Sequence, residues 1–149
     1  MKRVLFALLL MTAAAFGQQT NPQNAKGPQA KVLSRAEFDA LIAKPSDVLL
    51  IDVRRPDEIS TNGGFPVYLN IQIGDLGKEL AWIPKDRTII TVSNHAARGS
   101  VAADLLTKNG FKVAGTIGTE TYEQAGGTLT RIVPPPPQAA VTNAGAGKK

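Results

Sequence analysis

The strongest constraint on the fold is a pair of short apolar runs in which polar and apolar residues do not alternate. Residues 48–51 (VLLI) and residues 88–92 (TIITV) are rich in β-branched side chains and leucine. A strand with one face in water would alternate, so continuous runs are typical of strands buried on both faces of a parallel sheet. Polar segments follow both runs, which predicts loops at their carboxyl ends.

Helical segments alternate with these strands. Ser34 followed by Glu37 is a capping-box pattern, which predicts a helix with Phe38, Leu41 and Ile42 on one face. The other predicted elements are strands at 69–73 and 111–114, a helical turn at 77–82, and helices at 99–108 and 119–125. The inner face of the helix at 99–108 is expected to carry Val101, Ala102, Leu105 and Leu106. This order of elements predicts an α/β domain with a mostly parallel sheet flanked by helices.

The two ends of the chain differ from its middle in composition. Residues 1–17 contain a charged start, an apolar run and a small-x-small site, which predicts a cleaved signal peptide and export to the periplasm or beyond. The apolar run is too short to span a bilayer, so no stable membrane insertion is expected after cleavage. A flexible leader is predicted at 18–30, the folded domain at 31–131, and a proline-rich, disordered tail at 132–149.

The net charge of +5 does not indicate nucleic-acid binding. Residues 31–131 contain 12 of the 17 basic residues and all 12 acidic ones, so the predicted domain is formally neutral. A nucleic-acid-binding domain is expected to carry an excess of basic residues. The chain also has no cysteine, which excludes disulfides, thiolate metal sites and cysteine nucleophiles. We expect neither a metal nor a cofactor.

A polar loop follows the strand at 88–92. It comprises the residues Ser93, Asn94, His95, Ala96, Ala97, Arg98 and Gly99, which lead into the helix. Functional groups of parallel sheets gather beyond the carboxyl ends of the strands. A tight strand-to-helix loop directs its backbone N–H groups to a common centre, and the helix N-terminus adds partial positive charge. Together with Arg98, these groups predict a binding loop for a small oxyanion.

Five segments in order resemble the rhodanese-like family, whose motifs are D-V-R-x-P-x-E, G-H-I-P-G-A-x-N-I, C-x-x-x-x-R, G-F-x-V and an aromatic-x-x-A-G helix end. Their counterparts are residues 52–58 (DVRRPDE), 63–71 (GGFPVYLNI), 93–98 (SNHAAR), 110–113 (GFKV) and 122–126 (YEQAG). The resemblance covers about residues 31–131 and implies a three-layer fold. It also implies a structural, supporting role for Asp52, Arg54 and Glu58, which shape the turn after the first central strand.

The departures from the family pattern concern its chemistry. Ser93 stands where the family has its catalytic cysteine, Gly64 replaces a histidine and Tyr122 replaces a tryptophan. Sulfurtransferases of the family carry sulfur as a cysteine persulfide. A serine hydroxyl is far less nucleophilic toward sulfur and is un-ionised at neutral pH, so it forms no such intermediate.

The residues of the loop allow more than one interpretation. Ser93 is either a structural hydrogen-bonding group or a nucleophile activated by His95, which would then need a third group such as Asp52 to orient it. His95 is otherwise an exposed loop residue. Arg98 either holds an anion or pairs with Asp52 or Glu58. Arg54 and Glu58 are expected to pair if their segment is helical.

Two further expectations concern residues outside the loop. Trp82, the only tryptophan, is expected to pack over the edge of the sheet. Thr116, Thr119 and Thr121 are candidates for lining the same pocket as the loop.

The sequence favours a non-catalytic rhodanese-like protein that binds a small oxyanion or an unknown protein at the loop around Ser93. One alternative is an enzyme that uses the Ser93 hydroxyl on a phosphate or sulfate ester. Another is an envelope scaffold with a vestigial pocket, in which residues 132–149 make the contact.

Overall fold

The computed structural model describes residues 27–131. The predicted signal peptide at 1–17, most of the predicted leader and the predicted tail at 132–149 lie outside the described residues. None of the helices between residues 27 and 131 is long and apolar enough to cross a membrane.

The described chain forms a four-stranded parallel sheet flanked by helices. The strands are β1 (Val48–Asp52), β2 (Leu69–Asn70), β3 (Thr88–Ser93) and β4 (Val113–Gly118), in the spatial order β2-β1-β3-β4. The helices are α1 (Arg35–Ile42), α2 (Pro56–Asn62), α3 (Ala97–Lys108), α4 (Thr119–Gln124) and a 3-10 helix (Leu80–Trp82). The predicted three-layer α/β architecture is therefore confirmed.

Successive residues of the two central strands enter separate cores on opposite faces of the sheet. One core packs Val48, Leu50, Ile90 and Val92 against rings from α1, α4 and the segment before β2; those rings are Phe38, Phe65 and Tyr122. The other core packs Ile51 and Ile89 under α3, which contributes Ala102 and Leu106. Both faces are covered, which explains the continuous apolar runs in the sequence.

Helix α1 begins as the sequence predicts. The Ser34 hydroxyl accepts a hydrogen bond from the Glu37 N–H at 3.3 Å, and the Glu37 carboxylate accepts one from the Ser34 N–H at 2.9 Å. These reciprocal bonds satisfy backbone donors that the first turn of a helix leaves open. They place Phe38, which is fully buried, over the first core.

Two strand predictions were wrong in their bounds. β2 ends at Asn70 instead of continuing to residue 73, because the chain turns at Gln72, whose carbonyl accepts from Asp75 and Leu76. β4 begins at Val113 and continues to Gly118, four residues beyond the predicted end. Its last four residues contain two glycines and a threonine, a composition that resembles a loop.

Two predictions of packed side chains were also wrong. Val101 is 49% exposed, because the buried stripe of α3 runs through Ala102, Ala103 and Leu106 and places Val101 on its flank. Trp82 is 81% exposed. Its neighbour Ile83 turns into the core in its place, so the indole is left on the surface.

Both ends of the described segment pair with the domain. Thr116 of β4 donates its N–H to the Lys31 carbonyl and accepts from the Leu33 N–H, each at 2.8 Å. Near the other end, Thr130 and Gly64 exchange two antiparallel hydrogen bonds of 2.8 and 2.9 Å. These contacts fix the first end against β4 and the other end against the segment that follows α2.

Helix α3 approaches β4 closely at Gly99, where a Cβ would lie 2.1 Å from Thr116 Oγ1. Thr116 is buried and hydrogen-bonded, so it has little freedom to move. We expect Gly99→Ala to lower the free energy of unfolding by about 1–3 kcal/mol, measured by urea denaturation. Gly77→Ala is the control, since nothing lies within 4 Å of its Cβ, and it should change stability by less than about 0.5 kcal/mol. Equal stabilities of the two variants would contradict this packing.

Candidate functional site

A sharp backbone turn connects β3 to α3. Ala96 precedes the first helical residue and has φ of +64°, a left-handed conformation that costs a residue with a side chain roughly 1–2 kcal/mol. Gly118, at the end of β4, lies directly against this turn. A Cβ on Gly118 would lie 2.9 Å from the Asn94 carbonyl oxygen and 3.1 Å from the Ala96 nitrogen. Close packing against a glycine therefore holds the loop in its turned conformation.

Ser93 is a structural hydrogen-bonding group at the base of the loop. The residue is 1% exposed, and its Oγ accepts a hydrogen bond from the Gly99 N–H at 3.1 Å. This bond satisfies one of the open donors of the first turn of α3. Among the described residues, Ser93 makes no hydrogen bond with His95. The imidazole lies 3.2 Å from a Glu120 carboxylate oxygen and is 73% exposed, so the Ser93–His95 pairing is not formed.

A buried ion pair lies beside the loop. Asp52 and Arg54 are each no more than 1% exposed. Arg54 Nε donates to Asp52 Oδ1 at 2.9 Å, and Arg54 Nη2 donates to Asp52 Oδ2 at 2.7 Å. The remaining guanidinium donors bind Asn94 Oδ1 at 3.0 Å, Thr119 Oγ1 at 3.3 Å and the Gly63 carbonyl at 3.1 Å. One arginine therefore connects β1 to the loop, to the start of α4 and to the end of α2.

A second ion pair closes the outer side of the loop. Arg98 donates to both carboxylate oxygens of Glu58, at 2.8 and 2.6 Å, and Asn94 donates to the same carboxylate at 3.1 Å. The bonds from Arg98 lower the pKa of Glu58 to about 2, and Glu58 raises the pKa of Arg98. Of the two interpretations of Arg98, the structure contains the ion pair with Glu58. The expected pairing of Arg54 with Glu58 was wrong, because the Arg54 guanidinium forms its ion pair with Asp52 instead.

Asn94 joins the two ion pairs, since its carboxamide accepts from Arg54 and donates to Glu58. Sequence reasoning placed Asn94 in the loop without giving it this bridging role. Of the three candidate threonines, Thr119 joins the network, Thr116 is buried between β3 and α3, and Thr121 is exposed. The spacing of the threonines along the chain does not predict which of them joins the network.

The backbone N–H groups of residues 94–98 donate no hydrogen bond to any other residue among 27–131. They stand at the N-terminus of α3, where the partial charges of the helix favour an anion. The charged side chains beside them form ion pairs with one another, so the backbone N–H groups are the main hydrogen-bond donors of the loop that lack an acceptor. Within the described residues, no group of three His, Asp or Glu side chains is arranged to hold a metal ion.

Comparisons with known proteins agree with this architecture, although no protein-family profile matches the chain. A putative sulfurtransferase of Bacillus subtilis is 26% identical over 90 residues, which cover 60% of this chain and 86% of the relative. A rhodanese-related protein of Thermoplasma volcanium superposes with a TM-score of 0.59 at 20% identity, covering 67% of this chain and 97% of that one. The chain has a rhodanese-like fold, and its sequence is similar to that of a putative sulfurtransferase.

A third protein similar to this rhodanese-like chain comes from Rhodopseudomonas palustris and is described as of unknown function and a possible tyrosine phosphatase. It superposes with a TM-score of 0.59 at 25% identity, covering 68% of this chain and 85% of its own. Ser93, which the sequence resemblance aligns with the family's nucleophile position, is the last residue of the central strand β3.

The buried ion pair of this rhodanese-like domain predicts a large difference between two adjacent arginines. Arg54→Met leaves the Asp52 carboxylate buried without its partner and should lower the free energy of unfolding by about 3–5 kcal/mol. Arg55→Met removes an exposed pair with Asp57 and a longer contact with Glu58 at 3.7 Å, and should cost less than about 1 kcal/mol. Urea denaturation measures both. If Arg54→Met does not fold, Arg54→Lys should fold with an intermediate loss, and wild-type stability of either Arg54 variant would contradict the role of the pair.

The low pKa of Glu58 predicts a specific acid response. A carboxyl whose folded pKa lies below its unfolded value adds stability that is complete above the unfolded value, about 4.3, and is lost as the pH falls toward the folded one. With the folded pKa at about 2, the loss falls between about pH 4.5 and pH 2. Glu58→Gln should lack this component, which is on the order of 2 kcal/mol because the side chain is mostly buried.

The measurement is the free energy of unfolding of both proteins from pH 7 to pH 2. Glu37 also has a pKa of about 2, but it is present in both proteins and cancels in the comparison. Parallel pH profiles of wild type and Glu58→Gln would show that the Glu58–Arg98 pair contributes no such component.

Proposed function

We propose that this rhodanese-like protein binds a small oxyanion, without covalent chemistry, at the loop of residues 93–99. The main observation in support of the proposal is the row of unpaired backbone N–H groups at residues 94–98, at the N-terminus of α3. Such groups bind sulfate-like or phosphate-like anions without needing a charged side chain. None of these donors belongs to the side chain at position 93, so they are independent of a thiol.

The surroundings of Ser93 support a non-catalytic loop. The chain has no cysteine, and the buried Ser93 hydroxyl is already engaged as an acceptor for the Gly99 N–H. A hydroxyl nucleophile needs a base within hydrogen-bond reach to remove its proton. His95, the residue considered for this task, pairs with Glu120 on the surface.

Ester hydrolysis is the second candidate, and one observation favours it: the similar R. palustris protein is described as a possible tyrosine phosphatase. A hydrolytic reaction through Ser93 would produce a phosphorylated or sulfated serine during turnover. Intact-mass measurement after exposure to p-nitrophenyl phosphate distinguishes the two candidates. The proposal expects no adduct, whereas an adduct that is lost in Ser93→Ala would support hydrolysis.

We also propose that the protein is exported, because residues 1–17 have the sequence pattern of a signal peptide. An unknown protein remains the other candidate ligand of the loop, and the scaffold alternative rests on residues 132–149, outside the described residues. The anion is favoured over both because the free groups of the loop are backbone donors at a helix N-terminus.

Titration of the ¹⁵N-labelled protein with sodium sulfate, phosphate or thiosulfate tests the proposal. Saturable shifts are expected for the amides of residues 94–98, with dissociation constants in the millimolar range, and sodium chloride at matched ionic strength should not reproduce them. The proposal fails if these amides do not respond to any of the three anions, or respond equally to chloride.

Glu58→Gln sharpens this test, because it frees Arg98 from its carboxylate partner. We expect the variant to bind sulfate several-fold more tightly than wild type at low ionic strength. Asp57→Asn changes the net charge by the same amount at an exposed neighbouring position and is the matched control. Equal effects of the two variants would mean that the anion does not bind beside Arg98.

A further inference from the structure

An apolar cavity lies against the amino ends of β1 and β3, whereas the loop of residues 93–99 follows the carboxyl end of β3. It has a volume of about 300 Å³, at the lower end of the range of small-molecule sites. Its walls come from the end of α1, the amino end of β1 and the segment that leads into β2, and include Ile42, Leu50, Phe65 and Leu69. Arg87, which immediately precedes β3, also lines it.

Arg87 is the one charged side chain among the residues that line this cavity. It is half-buried, and within residues 27–131 it forms neither a salt bridge nor a side-chain hydrogen bond. A guanidinium partly removed from water is stabilised by an anionic partner, and a carboxylate fits its two parallel donors. Every other arginine of the described chain pairs with a carboxylate: Arg35, Arg54, Arg55, Arg98 and Arg131.

Tyr68 adds a second polar group to the cavity wall. Its side chain is half-buried, and its hydroxyl makes no hydrogen bond within the described residues. The cavity thus combines apolar walls with one unpaired cation and one unpaired hydroxyl. This arrangement matches a ligand with an apolar body and a single acidic end.

We propose that this cavity binds a small apolar carboxylate, such as the anion of a medium-chain fatty acid, with its carboxylate on Arg87 and its apolar body against Phe65 and Leu69. The site is separate from the oxyanion loop, because Val48 and Arg87 lie at the amino ends of β1 and β3 while the loop follows the carboxyl end of β3. The two sites can therefore be occupied together.

The direction of the chain at Arg131 favours a small molecule over the chain's own tail. Thr130 pairs antiparallel with Gly64, and the Arg131 side chain donates to the Asn62 carbonyl. The described end of the chain therefore points toward α2 and away from the cavity wall at residues 65–69.

Octanoate is the probe, and 1-octanol is its uncharged counterpart. In titrations of the full ¹⁵N-labelled protein, octanoate should shift the amides of residues 48–50 and 65–69 saturably, while the amides of 94–98 stay unchanged. Arg87→Gln should weaken octanoate binding at least tenfold and leave the weaker octanol binding unchanged. Lys112→Gln, which removes a positive charge beside the start of β4, is the matched control and should bind octanoate as wild type does.

Three outcomes would overturn the proposal. Octanoate binding that is equal in wild type and Arg87→Gln would remove the role of the guanidinium. Shifts confined to residues 94–98 would assign the carboxylate to the oxyanion loop instead. Octanoate binding that occurs only after deletion of residues 134–149 would mean that the tail fills the cavity.

Discussion

The buried ion pair of Asp52 and Arg54 is the interaction on which the rest of the site depends. Transferring two charges out of water costs several kcal/mol each, and this cost is offset only where every remaining donor and acceptor is satisfied. Here the guanidinium binds both carboxylate oxygens and three further acceptors. No buried side-chain nitrogen or oxygen among the described residues lacks a hydrogen-bond partner. The pair can be buried only when β1, the loop, α2 and α4 are in their native positions.

The shape of the loop therefore does not depend on which residue occupies position 93. Backbone packing at Gly99 and Gly118, the left-handed Ala96 and the bridging carboxamide of Asn94 fix the loop. Ser93 contributes one hydrogen bond to the first turn of α3. Neither the turn of the loop nor the open backbone N–H groups of residues 94–98 depend on a thiol, which is why we favour binding over catalysis.

Much of the fold could be predicted from local patterns, because β1, β3 and the start of α1 have strong ones. Only the first two residues of β4 were predicted as strand. The rest could not be, since its strand conformation comes from pairing with β3 and with residues 31–33, not from its own glycine-rich sequence. The partner of Arg54 was also out of reach. Arg54 and Glu58 are four residues apart, yet Arg54 lies before the first residue of α2, so helical spacing does not apply to it. Its partner is Asp52, which the turn after β1 brings beside it.

We expect the persulfide chemistry of the family to be absent from this protein although the turned loop is present. A thiosulfate:cyanide sulfurtransferase assay on the purified protein tests this most directly. The protein should produce no more thiocyanate than a heat-inactivated sample, because Ser93 cannot carry sulfane sulfur and the chain has no cysteine to replace it. Turnover above that background which disappears in Ser93→Ala would contradict it.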